Sequence, residues 1–126
     1  MRNLKKVLAL VLTLALALSV AAGAAFTDQK QIKNTEAVDA CVALNIIGGY
    51  PDGSYKPEGN ITRAEFCKML CVALNGGKEP NLGTSTTPIF NDVRTSASAS
   101  WAEKYIESCY AQGIVSGVGD GKFNPN

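Results

Sequence analysis

The sequence predicts a mainly α-helical fold, in which a helix–loop–helix unit occurs once in full and once in part. Three observations support this class. Residues 50–57 (YPDGSYKP) recur as residues 118–125 (VGDGKFNP), and the same register extends to the segment before them. Apolar residues on either side of this segment follow helical spacing, and neither copy contains a convincing long strand. The repeat therefore sets both the fold class and the division of the chain.

The N-terminal segment, positions 1–25, predicts an export signal. Met1 to Lys6 is basic, Val7 to Val20 is almost wholly apolar, and small residues fill positions 21–25. The apolar run is shorter than the roughly 20 residues of a membrane span, which favours cleavage over an uncleaved anchor. Loss of the three basic residues in this segment leaves nine of 12 against 11 acidic residues, a net charge of about −2. Neither a nucleic-acid partner nor a membrane contact after cleavage is expected.

The first copy, residues 26–77, begins with a helix followed by a turn. Val38 and Cys41 lie on one face of this helix, and Gly48-Gly49 is expected to end it. Asp52 and Gly53 then predict a tight turn, because aspartate bonds to nearby backbone and glycine accepts a positive φ.

The second helix of the first copy has a clear start. Thr62 and Glu65 have the spacing of a capping box, in which each side chain binds the backbone N–H of the other residue. An apolar face follows, and the helix is expected to end near Asn75-Gly76-Gly77. Residues 78–88, rich in Gly, Thr, Ser, Asn and Pro, predict a linker.

The second copy, residues 89–126, repeats only the first half of the unit. Ser100 and Glu103 predict a second capping box, Gly113 a helix stop, and Asp120 and Gly121 a turn. The sequence stops where the second helix should begin. We therefore expect this chain to be a fragment or a truncated reading frame of a longer protein.

The composition argues against catalysis and against a metal site. There is no histidine, and no pair of carboxylates is placed for acid–base chemistry. Cys67 and Cys71 stand four apart, but no histidine completes a zinc set, and the turn aspartates lack the ligand series of a calcium loop. The four cysteines allow three disulfide pairings, and for at least two of them apolar packing is favoured. No cofactor is expected.

Three segments carry a resemblance to a known family. Residues 26–28 (FTD), 46–57 (IIGGYPDGSYKP) and 61–66 (ITRAEF), with Trp101-Ala102 in the second copy, resemble the S-layer homology repeat. The resemblance implies binding to secondary cell-wall polymers, often pyruvylated, that are attached to peptidoglycan. It also implies a pseudo-threefold spindle of three repeats with ligand grooves between lobes. Here the spindle is incomplete, so independent wall binding is an open question.

The resemblance points to four glycan-binding candidates. Arg63 combines a bidentate cation with a helix N-terminus expected to have free backbone N–H groups, although a local ion pair would also explain it. Trp101 could stack on a sugar or pack in the core. Gly49 and Gly117 could let a ligand approach the backbone, or could simply stop a helix. Thr62 and Glu65 are assigned to capping.

The sequence thus favours a non-catalytic module, secreted and held at the cell wall or S-layer surface through a secondary cell-wall polysaccharide. Two alternatives stay open: the anchor of a truncated exported enzyme such as a polysaccharide hydrolase, and the N-terminal part of an S-layer structural protein. A homo-oligomer that rebuilds the spindle from three chains is a further alternative, which a measurement of molecular size would decide.

Overall fold

The computed structural model describes residues 26–126, and the predicted export signal lies outside the described residues. This part of the chain forms helices α1 (Thr35–Ala43), α2 (Arg63–Leu74), α3 (Asn91–Arg94) and α4 (Glu103–Ala111), with 3₁₀ turns at Gln29–Gln31 and Ser100–Ala102. Its β-structure is limited to one isolated bridge between Gly119 and Lys122, which confirms the mainly α-helical class. None of the helices described has the length and hydropathy needed to cross a membrane.

Helix α1 ends earlier than the sequence predicts. Its last residue is Ala43, and Asn45 takes a left-handed conformation at φ 56°. Gly113 does the same after α4, at φ 69°, so the predicted stop there is confirmed. Asparagine tolerates this conformation better than most residues, which makes it the equivalent of the glycine cap. The expectation that Gly48-Gly49 ends α1 is therefore wrong.

Helix α2 begins with the capping box. The Thr62 Oγ1 accepts the N–H of Glu65 at 3.1 Å, and the Glu65 Oε2 accepts the N–H of Thr62 at 2.8 Å. The helix ends at Leu74, followed by two glycines with positive φ, as the sequence predicts. Both ends of α2 are thus set by local sequence.

The second capping box, predicted at Ser100 and Glu103, is wrong. Ser100 lies in a 3₁₀ turn, and α4 begins at Glu103 without a side-chain cap. The Glu103 carboxylate instead accepts the Arg94 Nε at 2.6 Å, with only 12% of its side chain exposed. A carboxylate this buried is better satisfied by a guanidinium than by a neutral amide, so the ion pair replaces the cap.

The same turn motif closes differently in the two copies. In the first copy the Asp52 Oδ1 accepts the N–H of Ser54 at 2.9 Å, and Gly53 has φ 79°. In the second copy Asp120 and Gly121 both have positive φ, and the turn is shifted by one residue. That shift gives Gly119 a φ of 107°, which Pro51 at the matching position cannot adopt.

The principal core joins the two copies. Helix α2 of the first copy packs against α4 of the second, and the buried residues between and around them form one cluster: Ala64, Cys67, Cys71, Phe90, Val93, Ala102, Tyr105, Ile106, Cys109 and Phe123. A smaller cluster of Phe26, Ile32 and Val38 supports α1. The folded unit is therefore a pairing of helices across the repeat boundary.

The linker is held against the second copy. The Glu107 carboxylate, 7% exposed, accepts the N–H of Ser85 at 2.6 Å and that of Ile89 at 3.5 Å. Arg94 donates to the carbonyls of Ser85 and Thr86 at 2.6 and 3.0 Å. Residues of α3 and α4 thus bind its backbone from two sides, so this part of the linker has a fixed course.

Candidate glycan-binding grooves

One of two concave surfaces beside α2 is a groove of about 770 Å³, here called the main groove. It is lined by loop residues 46–51 and 55–57, by Glu65, Lys68 and Met69 of α2, and by Trp101. The loops and α2 belong to the first copy, whereas Trp101 belongs to the second. One chain therefore builds a groove from both copies.

Trp101 presents its ring to solvent at this groove. Its side chain lies in the 3₁₀ turn before α4 and is 45% exposed. The indole Nε1 donates to the Ser98 carbonyl at 2.8 Å, which fixes the ring. The Tyr105 ring meets it edge on, with centroids 6.3 Å apart, and the Lys68 ammonium lies 5.9 Å from its centroid. A fixed, half-exposed indole beside a cation suits a sugar that carries negative charge.

A second cation and ring lie at the loop side of the groove. The Lys56 ammonium sits 4.2 Å from the centroid of the Tyr50 ring. Lys56 also pairs with Asp52 at 3.7 Å, but both side chains are at least half exposed, so this pair is weak. The lining of the groove thus includes two lysines and three aromatic residues, of which the sequence had singled out only Trp101.

Asp28 fixes the loop that carries Lys56. Its two carboxylate oxygens accept the consecutive N–H groups of Tyr55 and Lys56 at 2.9 and 2.8 Å. The bond from the Tyr55 amide is the main cause that holds the pKa of the Asp28 carboxyl below its usual value. The sequence contains a signal for this role, because an aspartate stands two residues after the first phenylalanine of each copy, as Asp28 after Phe26 and Asp92 after Phe90.

Asp92 has the same role in the second copy. It accepts the N–H groups of Phe123 and Asn124 at 2.9 and 2.8 Å. Burial raises the pKa of the Asp92 carboxyl, but the backbone amides together outweigh burial and the pKa lies below its usual value. In each copy, one aspartate thus holds the loop after the turn against the first residues of the same copy.

Gly49 and Gly117 each lie under a phenylalanine. A Cβ on Gly49 would come 2.9 Å from the Ser54 carbonyl oxygen and would overlap the Phe26 ring. A Cβ on Gly117 would come 2.7 Å from the Phe90 ring. In both cases the space beside the glycine is filled by the first residues of the same copy. Gly49 still lines the main groove, whereas Gly117 does not.

Arg63 lies apart from the main groove. It lines a smaller groove of about 460 Å³, here called the second groove, with Thr62 and Phe66 on one wall and residues 114–116 and Phe123 on the other. Its Nε donates to the Phe123 carbonyl at 3.0 Å and its Nη2 to the Ser116 carbonyl at 2.6 Å. The guanidinium also stacks on the Phe123 ring, 4.1 Å from the centroid.

The N-terminus of α2 is also occupied. The N–H of Ala64 donates to the Pro125 carbonyl at 3.0 Å, and the N–H of Glu65 is held by its cap. The free amides expected beside Arg63 are thus largely satisfied by the chain itself. Of the four glycan candidates, the structure brings only Gly49 and Trp101 to one groove.

Comparison with known proteins agrees with the repeat structure. The model of the S-layer homology domain matches residues 25–67 and 89–126. The chain is 37% identical over 81 residues to a cellulosome-anchoring protein of Acetivibrio thermocellus, which covers 64% of this chain and 17% of that protein. It is 35% identical over 132 residues to a cell surface protein of Thermoanaerobacter kivui, covering 100% of this chain and 17% of that protein.

Parts of known enzymes are also similar to this chain. Endo-1,4-beta-xylanase A of Thermoanaerobacterium saccharolyticum is 33% identical over 97 residues, covering 77% of this chain and 8% of the enzyme. The chain thus spans less than a fifth of the length of each of these relatives. No solved structure matches the chain.

Proposed function

Because this chain belongs to the S-layer homology domain family, we propose that it is a non-catalytic module of the cell surface, which binds a secondary cell-wall polysaccharide attached to peptidoglycan. The observation that carries the proposal is the main groove, where the fixed Trp101 ring and the Lys68 ammonium face the same space. Cell-surface and cellulosome-anchoring relatives support the location.

The chemistry of the groove fits an anionic glycan. The indole and the Tyr50 ring offer flat apolar platforms for sugar rings, and Lys56 and Lys68 offer positive charge. A pyruvylated polymer carries a carboxylate on each ketal, which such ammonium groups bind. We infer that one chain carries one complete groove, so a single molecule suffices for a first contact with the wall.

Retention on purified walls tests this function. We expect the chain to sediment with native walls and to stay in solution with walls stripped of their secondary polymer. Equal retention on both wall preparations would show that the polymer is not the ligand. Size measurement of the same sample decides whether the binding species is a monomer or the alternative homo-oligomer.

Replacement of the indole tests the groove itself. In the same assay, Trp101→Ala should weaken retention roughly tenfold, because an exposed aromatic residue in a binding site often carries much of its binding energy. Tyr110→Ala is the matched control, since Tyr110 is 44% exposed and lies outside the lining of the main groove. If both variants bind as the original chain does, the polymer does not contact this groove.

For Arg63 we propose two roles, one in joining the copies and one in contacting the polymer with its remaining N–H groups. Both Arg63→Ala and Arg63→Lys should lower the free energy of unfolding by about 1–2 kcal/mol, because neither retains the pair of bonds to carbonyls. Wall retention should fall with alanine and persist with lysine, measured where both variants are folded. Equal retention of the two variants would limit Arg63 to the structural role.

A second candidate rests on the enzyme relatives. The similarity to a xylanase, and to an amylopullulanase of Thermoanaerobacterium thermosulfurigenes at 33% identity over 94 residues, supports an anchor that serves an exported polysaccharide hydrolase. The genomic sequence beyond the codon for Asn126 tests it. A hydrolase domain in frame would support this candidate, and a long β-rich region would favour an S-layer structural protein.

A further inference from the structure

Three of the four cysteines meet in the core between the two copies. Cys67, Cys71 and Cys109 are at most 5% exposed. The first two lie one turn apart on α2, and the third lies on α4 of the second copy. The Cys71 Sγ and the Cys109 Sγ are 3.6 Å apart. The thiols thus lie at the helix contact that joins the copies.

The sulfur–sulfur contact of 3.6 Å distinguishes Cys71 and Cys109 among these three thiols. The Cys109 Sγ also lies 3.8 Å from the Cys67 carbonyl oxygen, and the Cys71 Sγ lies 3.8 Å from the Tyr105 carbonyl oxygen. Cys67 meets Cys109 through its carbonyl oxygen, and its thiol lies near enough to that of Cys109 for the two to affect each other's pKa. Within residues 26–126 no three potential metal ligands converge on one point, so a metal does not account for the cluster.

We propose that Cys71 and Cys109 form a disulfide that links α2 of the first copy to α4 of the second. The two sulfurs need to approach by about 1.5 Å to reach bonding distance. The bond would close a loop between residues 38 positions apart. The inference rests on the thiol contact and holds whether or not the chain binds a wall.

The reaction is a thiol–disulfide exchange with a low-molecular-weight disulfide as the oxidant. The Cys71 thiolate attacks one sulfur of the oxidant, whose S–S bond breaks and releases one thiol. The Cys109 thiolate then attacks the Cys71 Sγ and releases the second thiol. The two cysteines lose two electrons and two protons, and the oxidant takes up both as its two thiols.

Burial affects when this reaction occurs. Burial raises the pKa of the Cys109 thiol, and the neighbouring Cys71 raises it further. The thiolate is therefore scarce in the folded core, and we expect the bond to form while the chain folds. A cell-surface location favours it, because disulfides persist outside the cytoplasm.

The full chain, refolded with oxidised glutathione, tests the proposal. We expect the intact mass to fall by two hydrogens, two thiols to remain reactive after denaturation, and a peptide map to join Cys71 to Cys109. The melting temperature should rise by about 10 °C or more over that of the chain kept in reductant, because the link constrains the unfolded state.

Cysteine variants provide the controls. Cys41 is the counterpart of Cys109 in the first copy and serves as the control. Cys41→Ser should keep the link, because among residues 26–126 the Cys41 thiol contacts no other thiol. Cys71→Ala should abolish the link and the gain in melting temperature. Four reactive thiols after oxidative refolding, or a map that joins Cys67 or Cys41 instead, would overturn the proposal. The peptide map of the unaltered chain tests the proposal even if a variant fails to fold.

Discussion

Phe123→Ala is expected to lower the free energy of unfolding by about 3–5 kcal/mol, as for other fully buried phenylalanines. The side chain has no exposed surface and its ring packs against that of Phe90, with centroids 5.2 Å apart. It also supports the Arg63 guanidinium, which stacks on it. A domain of this size has about 5–15 kcal/mol of stability in total, so the variant should lose a large share of it.

Tyr55→Ala is the matched control, because Tyr55 occupies the same position in the first copy. It is only partly buried and belongs to the smaller cluster around Phe26. We expect a loss of about 1–2 kcal/mol there. Urea denaturation followed by circular dichroism measures both variants. Equal losses would mean that the two copies contribute equally to the core, contrary to the burial difference between them.

The repeat explains how much of the fold could be predicted. The register that aligns the two turn segments also places Thr35–Ala43 on Glu103–Ala111, and these are the bounds of α1 and α4 in the structure. The capping box at Thr62 and the glycines after Leu74 likewise set the ends of α2 through bonds within a few residues. Local rules succeed here because every partner is close in sequence.

The helix pairing could not be predicted in the same way. Helix α1 buries only Val38, although it matches α4, which buries five residues. The difference arises because α4 has α2 as a partner, and in residues 26–126 α1 has no equivalent one. A periodic pattern indicates an apolar face, but it does not say which helix covers that face.

The residues of the site also divide into those that the sequence indicated and those that only the structure shows. Trp101 and Gly49 were found because they belong to motifs. Lys56 also lies in the quoted motif but was not singled out, and Lys68 lies in α2 without a distinguishing pattern. Arg63 was expected to face free amides, but its partners are the carbonyls of Ser116 and Phe123, which belong to the other copy and are distant in sequence. Backbone acceptors have no sequence signature, so such bonds are visible only in the folded chain.

Gly49→Ala separates the structural role of this residue from its predicted glycan contact. The residue has φ 72°, and an added Cβ would lie 2.9 Å from the Ser54 carbonyl oxygen and 3.0 Å from the Phe26 Cδ1. The left-handed conformation costs about 1–2 kcal/mol for alanine, and overpacking typically adds about 1–3 kcal/mol. We therefore expect a loss of about 2–5 kcal/mol in the free energy of unfolding.

Gly48→Ala is the control for this variant, because a Cβ there would meet nothing within 4 Å. Its stability should stay within about 0.5 kcal/mol of the original. Both residues line the main groove, so a side chain at either one reports on the same surface. If Gly49→Ala were as stable as Gly48→Ala but lost wall retention, the residue would serve the ligand. A large loss of stability confined to Gly49→Ala means that the glycine is required because Phe26 packs directly on its backbone.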